Sequence, residues 1–248
     1  MRTLLFLILF VHVLLGALVA TTPLGYILQQ SGVGSVGFGW AKVDGTLVKG
    51  RISGFHVGTQ PIGDITLELR PMSLLTLQPT YDIQWGGAGG RGTGVLTLSQ
   101  NKLTGREIRM QQEISALEGL DPAVRMMGGS LRLSEGMFVM TQTGCEAASG
   151  TVSTDTLSTL AAQYGRQFGT ISGPVSCEAG GFAIDMSGES DTGDRVDIDA
   201  KAYLPNGGEF TTTVETQDAQ IVLALSQVGF EREDGRFVYR RSQAVGLP

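Results

Sequence analysis

The sequence predicts a mainly β protein: a curved, mostly antiparallel sheet with a few short helices, preceded by a single N-terminal transmembrane helix. Three observations lead there. Apolar residues alternate with a period of two along most of the chain. Glycine supplies 36 of the 248 residues against only 8 prolines, and an unbroken apolar run opens the chain. Glycine at that level without a G-X-Y period is not collagen, and 42% apolar residues are too many for a disordered tail. A net charge of −6 argues against a nucleic-acid partner, because phosphate backbones are bound by basic faces. With 2 histidines there is little material for acid–base or metal chemistry, so a non-enzymatic chain without a cofactor is expected.

The opening run, residues 4–20, reads LLFLILFVHVLLGALVA, with His12 as its one ionisable group. As a helix it rises roughly 26 Å, slightly short of a hydrocarbon core of about 30 Å. Residues 24–28 extend its apolar length if the intervening Thr21, Thr22 and Pro23 are tolerated, with Tyr26 at the interface. Arg2 is the one charged side chain before Lys42. That asymmetry leaves residues 1–3 in the cytoplasm, makes 4–22 a transmembrane signal anchor, and exports 23–248 as one domain. The competing reading is a signal peptide cleaved after Ala20, where Leu18 fits the −3 position poorly. Both readings export the bulk of the chain. His12, with no acidic partner in the segment, reads as a neutral passenger. Cys145 and Cys177, the only cysteines, lie in the exported part and are expected to pair in an oxidising compartment.

Strand-like alternation then follows in order over 35–40, 46–51, 52–57, 64–70, 81–85, 94–98, 107–110, 130–133, 137–141, 150–152, 181–186, 195–203 and 209–215. Residues 64–70, DITLELR, are the cleanest, with Ile65, Leu67 and Leu69 on one face. Glycine, proline, asparagine or aspartate bounds each segment, as hairpin turns require. Helical spacing marks 111–127, interrupted at Asp121-Pro122, together with 154–165 and 218–228. A single turn is expected around Leu74 and Leu75.

Three clusters invite chemistry. Gly87-Ala88-Gly89-Gly90-Arg91-Gly92 satisfies G-x-G-x-x-G, but a strand follows where a dinucleotide site needs a helix N-terminus. It reads as a flexible hairpin connection. His56 is the sole histidine outside the apolar run, no G-x-S-x-G accompanies it, and it reads as a solvent-facing strand residue. The acidic stretch 189–199 lacks the EF-hand order, and Asp197 and Asp199 alternate with Val196 and Ile198 as on a solvated strand face.

Four motifs carry a family resemblance. Gly45-Thr46-Leu47-Val48-Lys49-Gly50-Arg51 forms a glycine-threonine-leucine strand pair soon after the anchor. Pro61-Ile62-Gly63 leads through an alternating strand to Arg70-Pro71-Met72-Ser73-Leu74-Leu75. The chain closes with 223–230 and then Asp234-Gly235-Arg236, a helix-then-strand pattern. Between them, Pro122 precedes Gly128-Gly129 and Gly173-Pro174 starts a strand. On these residues the chain resembles the N protein of the bacterial type II secretion system. The resemblance implies a single-pass inner-membrane protein with a cytoplasmic N-terminus and a periplasmic β-domain. It also implies an accessory or scaffold role in moving folded proteins from the periplasm across the outer membrane, among other inner-membrane and periplasmic components. No catalytic residue is carried over. The family is also similar to AsmA-type envelope proteins, whose long curved sheets offer an apolar groove, which implies a lipid as an alternative ligand.

Overall fold

The computed structural model describes residues 16–17, 20–30, 38–118, 120, 122–126, 128–163, 167–203, 207–227 and 229–244. Its strands are β1 (Phe38–Gly39), β2 (Lys42–Gly45), β3 (Lys49–Val57), β4 (Gln60–Leu69), β5 (Thr80–Gly87), β6 (Gly90–Ser99) and β7 (Lys102–Glu113). After them come β8 (Ser130–Thr141), β9 (Gly144–Thr154), β10 (Ile171–Glu178), β11 (Gly181–Glu189), β12 (Arg195–Tyr203), β13 (Gly207–Glu215), β14 (Glu231–Glu233) and β15 (Arg236–Ala244). All belong to one 15-stranded sheet in which β3 to β13 follow sequence order, β15 lies beside β13 and β14 closes that edge. At the opposite edge β1 and β2 both pair with β3. Every pairing is antiparallel. The helices are α1 (Leu24–Gln30), α2 (Pro122–Met126), α3 (Thr156–Gln163) and α4 (Ala219–Gln227), with 3-10 turns at Pro71–Thr76 and Ile114–Ala116.

Register partners share a face, so the alternation seen in single strands becomes continuous across the sheet. Ile52 faces Ile65, which faces Trp85; Leu69 faces Tyr81, which faces Leu96. At the far side Met186 faces Ile198, and Val196, Val214 and Phe237 form a row. Val152, Ile171, Met186, Val196, Val214 and Phe237 are the buried centre of the core, sealed by Leu157 of α3 and by Val222 and Leu225 of α4. The opposite, outer face carries Asp82, Arg109, Asp197 and their neighbours.

Register shifts bend the sheet. They occur between β3 and β4, β6 and β7, β7 and β8, and β8 and β9, and each bulge raises the local twist. Bending brings the two halves toward each other. Leu117 and Leu120, with Gln60 at the start of β4, share a cleft of about 250 Å³ with Lys201, Glu209, Phe210 and Arg241.

Several sequence expectations are corrected. Residues 111–113 continue β7, 114–116 make a 3-10 turn, and only Pro122–Met126 is helical, so no helix runs over 111–127. Neighbouring backbone decides this: the Glu113 N–H donates to Gly89 O at 2.9 Å and the Ile114 N–H to Gly129 O at 3.0 Å. Residues 46–48 are a turn, not strand, closed by the Thr46 N–H on Lys49 O at 3.0 Å. The glycine run at 87–92 lies mostly within β5 and β6; only Ala88 and Gly89, at φ 49° and 74°, form the turn. Gly92 is glycine for a separate reason: the Trp85 ring lies where its Cβ would be. Alternation does not mark β10, whose pattern Gly173-Pro174 interrupts. The expected spanning helix over 4–22 falls mainly outside the described residues, and among those described no helix is long and apolar enough to cross a membrane. Residues 24–28 do not lengthen that span, because Leu24 is buried over Gly50 and Gly25 packs on Val43.

Asp155 ties α3 to β8. Its Oδ1 accepts from the Ser130 N–H at 2.6 Å and its Oδ2 from Arg132 Nη2 at 3.0 Å, while its carbonyl accepts from the Thr159 N–H at 2.9 Å. Partial burial alone would push this carboxyl up; the Ser130 N–H and hydroxyl and the Arg132 charge outweigh it and hold the group below its ordinary value. A depressed carboxylate contributes stability that is fully present above the unfolded value, about 3.9, and is lost as pH falls through the folded one. Asp155→Asn is expected to cost about 1–2 kcal/mol at neutral pH and to flatten the fall in stability below about pH 4. Urea melts of both proteins across that range check it.

Candidate functional site

Two surfaces stand out. The first is the apolar inner face. In the C-terminal half α3 and α4 seal it, but across β4 to β8 the side chains of Ile65, Leu67, Ile83, Trp85, Leu96 and Met110 remain half-exposed. Large residues lie over glycines of the next strand, Trp85 over Gly92 and Phe138 over Gly105. The face is thereby kept smooth and shallow, a shape suited to an extended apolar ligand or a partner's apolar segment.

The second surface is the end of the first strands, where the family-type motifs converge. Gly45 takes φ 87° and pairs with Gly50 across the β2–β3 turn. Thr46 Oγ1 accepts from the Val48 N–H at 3.3 Å, Thr46 pairs with Pro23, and the Leu47 N–H donates to Thr22 O at 3.2 Å. Gly50 has no side chain because Leu24 occupies the space. One strand over, the Leu69 N–H donates to Val48 O at 2.8 Å. Arg70 grips Asp82 with two hydrogen bonds, Nε to Oδ2 at 3.0 Å and Nη2 to Oδ1 at 2.7 Å. That bonding holds the Asp82 carboxyl below its ordinary value and raises the Arg70 guanidinium. Pro71 opens the 3-10 turn, Leu74 is half-buried and Leu75 is exposed.

The remaining motif residues lie elsewhere. Gly63, at φ 106°, packs against the carbonyl of Gly86. Asp234 and Gly235, at φ 47° and 85°, make the two-residue turn between β14 and β15, a conformation that Asp-Gly favours. Arg236 pairs with Glu215 at 2.8 Å. Cys145 and Cys177 are joined by a disulfide, Cα to Cα 5.6 Å.

The clusters weighed for chemistry are not drawn together. The His56 ring covers Gly39 and sits 3.2 Å from Gly54 O. Asp194 accepts from Thr216 Oγ1 at 2.6 Å and Thr192 Oγ1 at 2.8 Å, shaping the turn before β12. Among the described residues no group of three or more histidine, cysteine or acidic side chains could hold a metal. Exposure of the residues after Arg70-Pro71 is invisible to alternation, though the run Leu74, Leu75, Leu77 fitting neither strand nor helix spacing was its available signal.

The family model described as type II secretion system (T2SS), protein N, matches residues 37–240. No curated protein and no solved structure matches the chain.

Proposed function

The chain belongs to the protein N family of the type II secretion system, and from that premise we propose that it is a non-enzymatic scaffold of the export apparatus. In this reading residues 4–22 hold it in the bacterial inner membrane with residues 1–3 in the cytoplasm. The sheet then stands in the periplasm, where it meets other inner-membrane or periplasmic components during export of folded proteins. The observation that carries the reading is the family match over most of the sheet. The joined Cys145–Cys177 pair supports an oxidising compartment. Deleting the gene is expected to leave secreted proteins stranded in the periplasm, and the full chain is expected to co-purify with components of the apparatus. Normal export together with no co-purification overturns the proposal.

A second reading follows from the half-exposed inner face of β4 to β8. A shallow apolar surface of smooth relief suits acyl chains, which makes lipid carriage the alternative role. Native mass spectrometry of the protein after mild extraction separates the two: reproducible lipid adducts favour carriage, and a consistently bare chain removes it.

A further inference from the structure

Exposed large apolar side chains are unevenly distributed over this molecule. In the 3-10 turn after Arg70-Pro71, Met72 is 77% exposed and Leu75 76%, and Leu77 just beyond it is 87% exposed. These are not loose ends. Ser73 Oγ donates to Arg70 O at 2.6 Å and accepts from the Thr80 N–H at 2.9 Å; the Leu77 N–H donates to Leu74 O at 3.2 Å. Leu77 is held at φ 55°, a left-handed conformation unfavourable for a leucine. A hydrogen-bonded platform therefore presents three aliphatic side chains to the outside. Leu98, also exposed, joins them, because its N–H donates to Pro79 O at 2.9 Å. Tyr26 and Ile27 of α1 are exposed near the same end of the sheet.

The chain on the N-terminal side indicates what covers this patch. Thr22 and Pro23 are fastened to the β2–β3 turn, which is itself fastened to Leu69, directly before the platform. Two strand spacings, roughly 10 Å, separate the residues where the apolar N-terminal segment meets the sheet from the platform. Immediately before that junction Thr21 Oγ1 donates to Ala17 O at 2.8 Å. Leucine and methionine side chains on an exposed turn suit fluid acyl chains, whereas protein hot spots favour tryptophan, tyrosine and arginine in pockets. The cations at this end are already paired, Arg70 with Asp82, Lys49 with Glu68 and Lys102 with Glu146.

We propose that Met72, Leu75 and Leu77 dip into the lipid surface beside the point where residues 4–20 enter it, fixing the sheet's first strands end-on against the bilayer. The inference rests on the anchor reading above. Its test uses the full chain in vesicles of phosphatidylethanolamine and phosphatidylglycerol with brominated acyl chains. Because both native cysteines are joined, Leu75→Cys introduces one thiol for an environment-sensitive fluorophore, and Thr59→Cys places the same probe on the β3–β4 turn at the strands' other end. A blue shift and several-fold stronger quenching at position 75 than at 59 are expected. Vesicle flotation of the unlabelled chain separates the two readings. A chain that fails to float overturns both, and one that floats with equal quenching at the two positions overturns this proposal alone. A probe at 75 shielded only when secretion components are added identifies a protein partner instead, and overturns it too. Leu75→Asp combined with Leu77→Asp, both at exposed sites, is expected to keep the far-ultraviolet dichroism of the parent while a probe at Met72→Cys loses its quenching.

Discussion

Ile171→Ala is expected to lower the unfolding free energy by about 3–5 kcal/mol, near the top of the range for a truncated core aliphatic. Ile171 is 1% exposed, the most deeply enclosed side chain among the described residues. It opens β10 opposite Thr154 and lies among Val152, Met186, Val196, Val214 and Phe237. Its Cγ1 covers Gly188, leaving 2.8 Å to where a Cβ on that glycine would stand. A glycine cannot fill the hole left by truncation, and strands pinned on both flanks relax little. The lost transfer energy and the persistent cavity therefore add. The drop should appear as a lower urea midpoint at nearly constant m-value. Leu75→Ala, at a 76% exposed site, serves as the control and should stay within about 0.5 kcal/mol.

Removing the disulfide is expected to cost on the order of 3–4 kcal/mol, from the entropy of closing a loop between cysteines 32 positions apart. Its position adds to the expectation. The β9–β10 ladder pairs Ile171 to Pro174 with Thr154 to Thr151, and no partners follow toward Glu178. Pro174 has no N–H to continue it. Below that point the two strands are held by the Cys145–Cys177 bond and by the Cys145 N–H donating to Gly180 O at 2.7 Å. Cys145→Ala with Cys177→Ala, and the wild-type chain in reducing agent, should show the same fall in melting temperature. A loss under about 1 kcal/mol would show the seam closed by packing alone.

Alternation made much of this sheet legible because a half-buried strand writes its two faces into the sequence. Residues 64–70, 195–203 and 209–215 show it, falling on β4 up to Leu69 and on β12 and β13. Where a partner supplies the information, the sequence of one strand is silent. In β10 the order Ile-Ser-Gly-Pro-Val-Ser-Cys-Glu breaks the pattern at Gly173-Pro174, and only packing against β9 and β11 reveals the inward face of Ile171 and Val175. Over 111–127, Ile114, Leu117 and Leu120 fall by coincidence at helical intervals, while Gln112, buried with its Nε2 donating to Ala88 O at 3.1 Å, is tied to the neighbouring hairpin. The apolar inner face was readable from Ile65, Leu67 and Leu69. The exposed platform was not, since leucines 74, 75 and 77 are chemically the same whether they turn inward or outward; tertiary placement alone separates Leu74 from Leu75.

The strand order has a consequence in time as well as in space. Because β3 to β13 neighbour one another in the order they are written, each of these strands pairs with the one made just before it. Such sequential pairing spares the chain a search among strands far apart in the sequence. Each new hairpin can therefore lay down on a finished edge as the chain is made from its amino end, without waiting for the carboxyl end to arrive. The last strands complete the sequence: β15 must reach β13 past α4 and β14, and that short inversion caps the growing edge, ending an addition that would otherwise accept the next strand it met.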